Sequence, residues 1–216
     1  MNEVVLYDYW RSSASYRVRI ALNMLGIDYA TVPVDLLDGS HKNPDYLKLN
    51  PQGLLPTLVI DGMRLTQSLS IIEYLAEIQP ESGLLPREPA GRQRVRALAY
   101  AVAMDIHPIC NMHVAARVMA LTGKTDARQE WMKHFITDGL RKLELMLEDG
   151  EGEFSFGNTP TMADLCLVPQ VYNARRWGAD MTDLKRIVEI DGKCAALPAF
   201  QKAHPDRVRP AGEAIV

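Results

Sequence analysis

The sequence predicts two structural units, an α/β unit followed by an all-helical unit. Three observations support this order. Strand-like apolar runs occur only before residue 82, prolines and a glycine interrupt the pattern over residues 79–89, and the periodicity afterwards is helical. A chain of 216 residues with 47% hydrophobic content is long enough for two compact units that each bury a core.

Charge and cysteine content narrow the possible functions. The formal net charge of −3 gives no overall electrostatic reason to bind nucleic acid or an anionic membrane. The three cysteines are widely spaced and none lies in a C-x-x-C pattern, so neither a disulfide framework nor a metal site is predicted. The sequence has no run of about 18 apolar residues and no signal-like N-terminus. We therefore expect a cytoplasmic protein with no membrane segment.

The N-terminal sequence predicts a βαβ opening. Residues 4–7 form a short apolar run typical of a buried strand, and residues 29–34 form a second β-prone run. Between them, apolar residues recur at helical spacing, and Gly26 follows as a stop signal. The inward positions of this helix are Val18, Ala21, Leu22 and Leu25. Because proline lacks the N–H that a sheet needs, Pro33 places the second strand at a sheet edge.

Two further strands and a helix complete the first unit. Residues 57–60 and 63–66 flank Asp61-Gly62, a dipeptide that favours a type I′ hairpin because both central residues take positive φ. Ser68 stands at the expected N-cap of the next helix, and the polar segment before the third strand is expected to be a loop. The order β-α-β-β-β-α is typical of a thioredoxin-like domain. We place this domain at residues 1–82 and a linker at 83–90.

The remaining chain, residues 91–216, predicts an all-α C-terminal domain. Apolar residues line one face of two helices, namely Val95, Leu98, Ala99, Val102 and Ile106 in the first and Phe135, Leu140, Leu143 and Leu147 in a later one. Thr161 and Asp164 have the spacing of a capping box. Pro108 and Pro169 are expected to kink or end the helices that they interrupt.

A cluster of serines marks the turn between the first strand and the first helix. Ser12, Ser13 and Ser15 lie between Arg11 and Arg17, where backbone amides and the positive end of a helix dipole favour an anion. N-capping alone explains a single serine at such a position, and that alternative stays open. No G-x-S-x-G segment is present. We therefore interpret the serine as a hydrogen-bond donor and not as a nucleophile.

Five stretches of the sequence resemble the zeta class of glutathione transferases, which includes maleylacetoacetate and maleylpyruvate isomerases. They are, in order, RSSASYRVRIAL at 11–22, LNPQGLLPTL at 49–58, QSLSIIEYL at 67–75, DIHP at 105–108 and TMADLCLVPQVYNARR at 161–176. The resemblance implies the glutathione transferase fold, bound glutathione as the source of a thiol, a homodimer, and a small anionic diacid as substrate.

The resemblance also implies roles for residues of the first unit. The Ser12 hydroxyl donates to the glutathione sulfur, with Ser13 beside it. Pro56 is cis, so that the Leu55 backbone pairs with the glutathione backbone by strand addition. Ser68, assisted by Gln67, holds the γ-glutamyl carboxylate at a helix N-terminus.

Five other residues are candidates for contacts with glutathione or substrate. By resemblance, His107 contacts either ligand, Asp105 reaches the glutathione of the partner subunit, and Asn111 belongs to the glutathione site. Arg176 with Arg11 would grip substrate carboxylates through the planar guanidinium fork. Plainer alternatives are a structural histidine, a solvated arginine pair at 175–176, and an Arg11 that packs over Trp10.

The implied activity is glutathione-dependent cis-trans isomerisation of maleylacetoacetate to fumarylacetoacetate, by reversible addition of the thiolate to the conjugated double bond. Three alternatives stay open. They are maleylpyruvate isomerisation, a broad conjugating transferase or haloacid dehalogenase, and a non-catalytic interaction module. Ala14 stands where the family often has cysteine, which argues against chemistry that needs a second protein thiol.

Overall fold

The computed structural model describes residues 3–211, which form two compact units. One unit contains the chain up to Leu84 together with the segment from Ala196 onward, and the other is Leu85–Ala195. The predicted domains are residues 1–82 and 91–216, with a linker at 83–90. The structure differs at the C-terminal end, where the segment from Ala196 packs on the first unit. Residues 1–2 and 212–216 of the predicted domains lie outside the described residues.

The first unit contains a four-stranded mixed sheet. Its strands are β1 (Val5–Asp8), β2 (Ala30–Pro33), β3 (Thr57–Ile60) and β4 (Met63–Thr66), and their order in the sheet is β2-β1-β3-β4. β1 runs parallel to β2 and antiparallel to β3, and β3 and β4 form an antiparallel hairpin. The edge position of β2 is confirmed. The hairpin turn is confirmed too, since φ is 49° at Asp61 and 77° at Gly62.

The α-helices of the described residues follow in chain order. They are α1 (Ser13–Met24), α2 (Pro44–Leu49), α3 (Ser68–Ile78), α4 (Pro89–Tyr100), α5 (Met112–Thr122), α6 (Ala127–Leu147), α7 (Met162–Trp177), α8 (Lys185–Ala195), α9 (Pro198–Ala203) and α10 (Pro205–Val208). A π-helical segment, Ala101–Ile106, continues α4. Across residues 3–211, none of the helices is both long enough and apolar enough to cross a membrane.

The expected loop before β3 contains α2. Only Tyr46 of its six residues is buried, so the helix carries almost no apolar periodicity that a sequence pattern could reveal. Pro44 at its first position and Asp45 in its first turn suit a helix start. The prediction of a loop over this segment is therefore wrong for residues 44–49.

A buried ion pair fixes the end of β1 against α1. Arg19 Nη1 donates to both carboxylate oxygens of Asp8, at 2.7 and 2.8 Å, and neither residue is more than 3% exposed. The same guanidinium donates to the carbonyls of Trp10 and Ala203. The Nε, Nη1 and Nη2 atoms of Arg19 therefore each donate a hydrogen bond, and a buried charge requires such partners. The Ala203 contact also helps to hold the C-terminal segment on the first unit.

Helical stripes form the core of the second unit. The predicted inward face of α4 and its π-helical continuation is confirmed, since all five of its residues are at most 2% exposed. In α6, Leu140, Leu143 and Leu147 are buried as predicted, whereas Phe135 is only partly buried and packs 4.4 Å from the Trp131 ring centroid.

The helix α7 begins at the predicted capping box and continues past Pro169. The capping box is confirmed, because Asp164 Oδ2 accepts from the Thr161 amide at 2.7 Å and the Thr161 side chain accepts from the Asp164 amide. Asp164 Oδ1 also accepts from the Ser155 amide at 2.8 Å. Pro169 does not end α7, which continues for eight residues to Trp177.

Candidate active site

The turn that joins β1 to α1 presents Ser12 as the N-cap of α1. Its backbone is extended, with φ −66° and ψ 120°, and its Oγ accepts a hydrogen bond from the Ser15 amide at 3.2 Å. Ser13 and Ser15 are buried, at 9% and 0% exposure, whereas Ser12 is partly exposed. Accepting uses a lone pair of the hydroxyl and leaves its proton available for a ligand. The capping and donor interpretations of Ser12 are therefore compatible.

Arg11 packs against the aromatic residues that precede it. Its Nη2 donates to Tyr9 Oη at 3.3 Å, and its Cζ lies 5.4 Å from the Trp10 ring centroid. This is the packing arrangement that the sequence left as an alternative. An additional role as an anion grip stays a prediction.

The loop before β3 is held by side chains that the sequence analysis did not single out. The Leu54 carbonyl accepts from Tyr46 Oη at 2.6 Å and from Asn50 Nδ2 at 2.8 Å. Asn50 is 2% exposed, and its Oδ1 accepts from the Gln52 amide at 3.1 Å. With both ends of its amide satisfied, Asn50 fixes the loop from within. The only sequence signal for it was the LNP segment, which is weak by itself.

Leu55 follows directly in that fixed loop. The Leu55–Pro56 peptide bond is cis, as the resemblance implies. The pairing registers of β3 begin at Thr57, so the Leu55 backbone lies beyond the last strand pair of the sheet. A ligand with an extended backbone could pair there by strand addition.

The start of α3 differs from the prediction at one residue. Gln67 is the N-cap, with φ 66° and ψ 107°, and Ser68 is the first helical residue, so the prediction of Ser68 as N-cap is wrong. The physical reason is the positive φ of Gln67, which is uncommon for a residue with a side chain. Gln67 Nε2 donates to Gln52 Oε1 at 2.8 Å. The first amides of α3 have no acceptor within the helix and favour a carboxylate.

A buried arginine joins the serine-rich helix to α3. Arg17 is 2% exposed, and its Nη1 donates to Ser68 Oγ at 3.3 Å. Ser68 is itself 7% exposed. A cation in such surroundings adds positive potential next to the amides at the start of α3. The arrangement can hold an anion, although sequence reasoning treated Arg17 only as a neighbour of the serines.

The second unit carries His107, Asp105 and Asn111 on or beside the π-helical segment. The His107 amide donates to the Val102 carbonyl at 2.9 Å, a bond that spans five residues, and the His107 side chain is partly buried. Asp105 is exposed on the segment itself. Asn111 is the N-cap of α5, and its Oδ1 accepts from the Met112 amide at 2.8 Å.

The two arginines at the end of α7 have different surroundings. Arg175 Nη2 lies 2.6 Å from Asp191 Oδ2 in an ion pair. Arg176 is partly buried, and its Cζ lies 4.9 Å from the Trp177 ring centroid. Arg175 therefore has a carboxylate partner within the protein, and the role of Arg176 toward a substrate carboxylate stays a prediction.

The protein's own thiols are all buried. Neither Cys110, Cys166 nor Cys194 forms a disulfide. Burial raises the pKa of the Cys110 thiol to about 11. Burial, with the nearby charges of Asp164 and Asp191, raises the pKa of Cys194 as well. Because the thiolate is the reactive form, the raised pKa values make Cys110 and Cys194 poor nucleophiles at neutral pH.

Family models match most of the sequence. The glutathione S-transferase N-terminal domain matches residues 2–77, and the glutathione S-transferase C-terminal domain matches residues 110–200. The chain therefore belongs to the glutathione S-transferase family, and the predicted fold class, a thioredoxin-like α/β domain with an all-α domain, is confirmed.

The relatives place the chain within that family. It is 63% identical to maleylacetoacetate isomerase of Rhizobium meliloti (strain 1021), over 97% of this chain and 99% of that one. A solved maleylpyruvate isomerase, described as a bacterial zeta-class glutathione S-transferase, has a TM-score of 0.92 and 41% identity, with coverage of 97% and 100%. Maleylacetoacetate isomerase of Methylobacterium extorquens AM1, solved with malonate and glutathione, has a TM-score of 0.89 and 39% identity, with coverage of 97% and 100%. The resemblance to the zeta class is confirmed.

Proposed function

We propose that this protein is a glutathione-dependent cis-trans isomerase that converts maleylacetoacetate to fumarylacetoacetate. The observation that carries the proposal is the 63% identity, over nearly the full length of both chains, with a maleylacetoacetate isomerase. The first unit adds a chemical reason, since it offers a serine hydroxyl at a helix N-terminus where a thiol could be activated.

The residues of the first unit fit glutathione. Ser12 offers a hydroxyl donor for the sulfur, and Leu55 offers a backbone outside the sheet pairing. Ser68 and the first amides of α3 suit the γ-glutamyl carboxylate, with Gln67 beside them. We assign Ser13 a supporting position, because its side chain is buried.

When bound, glutathione supplies a thiolate that adds reversibly to the conjugated cis double bond and so permits rotation. Ser12 lowers the free energy of the ionised sulfur through a charge-assisted hydrogen bond, worth about 1.5–3 kcal/mol. His107 is assigned to donate toward the substrate ketone oxygen as negative charge develops there, a contribution of about 3–4 kcal/mol for a preorganised donor. Arg176, with Arg11, is assigned to orient the carboxylates of the diacid.

The proposal includes the setting in which the enzyme works. The substrate is a small anionic diacid, in line with the malonate bound in the Methylobacterium extorquens AM1 relative. We propose a homodimer, in which Asp105 reaches toward the partner's glutathione and Asn111 contributes to the glutathione site. Three cysteines without a disulfide support a reducing, cytoplasmic location.

Maleylpyruvate is the second candidate substrate. The solved maleylpyruvate isomerase, with its TM-score of 0.92, favours it specifically. Both substrates are cis β-diketo acids that carry two carboxylates, so the same residues would serve either one. Turnover measurements with each substrate are needed to decide which of the two the enzyme prefers.

The test is a comparison of both substrates with and without glutathione, in which trans product and remaining glutathione are measured together. We expect rapid isomerisation only with glutathione, no net glutathione loss, and a higher kcat/KM for maleylacetoacetate. Equal rates without glutathione would overturn the proposal. Conjugation of chlorodinitrobenzene with stoichiometric glutathione loss, at a rate that exceeds isomerase turnover, would also overturn it, because that result identifies a conjugating transferase. Chloride release from dichloroacetate that exceeds isomerase turnover would overturn it as well, because that result identifies a dehalogenase.

A further inference from the structure

The helix that leads to His107 changes its winding just before that residue. α4 ends at Tyr100, and Ala101–Ile106 form a π-helical segment closed by the bond from the His107 amide to the Val102 carbonyl. The backbone hydrogen bond of a π-helix spans five residues, one more than in an α-helix, so a π-helical segment inserts a residue into the helix. Since each residue of an α-helix turns the chain by about 100°, the insertion decides which side of the helix His107 faces.

A glycine of α6 makes room for this segment. A Cβ added at Gly139 would lie 2.4 Å from Ile106 Cγ1 and 2.7 Å from Ile106 Cδ1. Ile106 is 2% exposed, so its side chain has little space to move away. Gly139 lies in mid-helix without positive φ, where glycine is disfavoured relative to alanine. Close approach of Ile106 is therefore the reason that a glycine suits this position.

The same helix holds the chain on the other side of His107. Trp131 Nε1 of α6 donates to the Ile109 carbonyl at 2.8 Å. Trp131 and Gly139 are eight residues apart, or about 12 Å along the helix axis. The chain is thus fixed at Ile106, one residue before His107, and at Ile109, two residues after it.

We propose that Gly139 and Trp131 are positioning residues for His107, a role that rests on the proposed function. Neither residue is assigned a contact with substrate or glutathione. Together they set the winding and the place of the segment from which the His107 imidazole reaches its ligand. A shift of about 1 Å in a donor can reduce turnover by roughly 100-fold, so small changes at these contacts should be measurable.

The test compares Gly139→Ala with Gly192→Ala. Gly192 lies in α8, and an added Cβ there meets nothing within 4 Å, so this variant is the matched control. We expect Gly139→Ala to lower kcat by roughly 10- to 100-fold and to shift the imidazole NMR signal of His107, which the variant His107→Gln identifies. Gly192→Ala should change neither. Trp131→Phe removes the donor but keeps an aromatic ring, and it should shift the same signal.

A double variant that shortens the side chain at residue 106 while enlarging that at residue 139 separates positioning from general loss of stability. Ile106→Ala combined with Gly139→Ala removes the two atoms that the new methyl group would meet, so it should recover much of the kcat and the His107 signal. The inference is overturned if Gly139→Ala and Trp131→Phe leave the His107 NMR signal unchanged, which is the result expected for Gly192→Ala. It is also overturned if the double variant folds but recovers neither readout. Absence of isomerase activity in the wild-type protein would refute the proposed function, whereas the NMR signal would still test the positioning.

Discussion

The buried guanidinium of Arg17 donates to the hydroxyl of Ser68 and so ties the serine-rich helix α1 to the first turn of α3. The contact is 3.3 Å long, and both side chains are at most 7% exposed. The serine cluster and the Gln67-Ser68 pair, which the sequence presents as separate features, are therefore joined by a direct contact, and we propose that both belong to the glutathione site. Variants on either helix should affect glutathione binding in distinct ways.

Replacing Ser68 with alanine should weaken glutathione binding more than it slows the chemical step. The variant loses a hydroxyl assigned to the γ-glutamyl carboxylate, and a hydrogen bond to a charged group is worth about 1.5–3 kcal/mol, or roughly 10- to 100-fold in Kd. Isothermal titration with glutathione measures this effect. Ser70→Ala is the matched control, because Ser70 is an exposed serine in the same helix. Equal affinities for the two variants would contradict the assignment.

Replacing Ser12 with alanine should move the pH dependence of isomerisation. Loss of a donor worth about 1.5–3 kcal/mol destabilises the thiolate and raises the pKa of bound glutathione, at 1.36 kcal/mol for each pH unit. The acid limb of the rate profile should therefore shift upward by roughly one to two pH units. The rate at pH 7 should fall, and the rate at high pH should approach that of the wild type. Loss of the cap should also lower the free energy of unfolding by about 1 kcal/mol.

Ser13→Ala is the comparison variant for that experiment. The Ser13 side chain is buried, and we expect a smaller change in the pH profile. Full activity of both variants at pH 7 would show that the donor to the thiolate had been wrongly assigned.

Tyr46 and Asn50 donate to the same Leu54 carbonyl. The losses of stability caused by replacing each of them should therefore not be additive. Each single variant, Tyr46→Phe or Asn50→Ala, leaves that oxygen one donor, and we expect Tyr46→Phe to cost about 0.5–1.5 kcal/mol. The double variant leaves it none, and its loss of stability should exceed the sum by roughly 0.5 kcal/mol or more. Urea unfolding of the four proteins measures the coupling. A strictly additive result would mean that the two bonds act independently.

Arg176→Lys should raise the KM for the diacid by roughly 10- to 100-fold, because lysine keeps the charge but loses the fork that grips a carboxylate. Glutathione affinity should stay unchanged, which separates the two ligand roles. The neighbouring variant Arg175→Lys is the control, since Arg175 is paired with Asp191 and exposed. If Arg175→Lys raised KM as much as Arg176→Lys did, the carboxylate grip would have been placed on the wrong arginine.

Local signals were sufficient for much of the fold. Pro33 predicted the edge strand, Asp61-Gly62 predicted the hairpin, and Thr161 with Asp164 predicted the start of α7, because each signal acts within a few residues. The serine cluster likewise located the start of α1, where the structure places Ser12 as the N-cap.

Tertiary contacts decided the rest. The segment from Ala196 joins the first unit partly through the bond from Arg19 to Ala203, which are 184 residues apart, and no local pattern predicts such a partner. Gln67, whose side chain is bonded to Gln52, takes the N-cap position of α3 with positive φ, against the usual preference for serine there. The π-helical segment before His107 ends at Ile106, which packs closely against Gly139 of α6, whereas the sequence offered only a proline at position 108.

The buried thiols give a prediction about pH. With a pKa of about 11, Cys110 at pH 7 has a thiolate fraction of only about one in ten thousand, roughly 100-fold below that of a thiol at its ordinary value. Alkylation of Cys110 in the native protein should therefore be slow at pH 7 and rise about tenfold with each pH unit until the pKa is reached. Mass spectrometry of the native and urea-unfolded protein measures the difference, with Cys110→Ala to identify the site.

Replacement of all three cysteines by alanine should leave most isomerase activity in folded protein, since the reactive sulfur is expected to belong to glutathione. Turnover of the folded variant measures this. Loss of that turnover would place a protein thiol in the reaction.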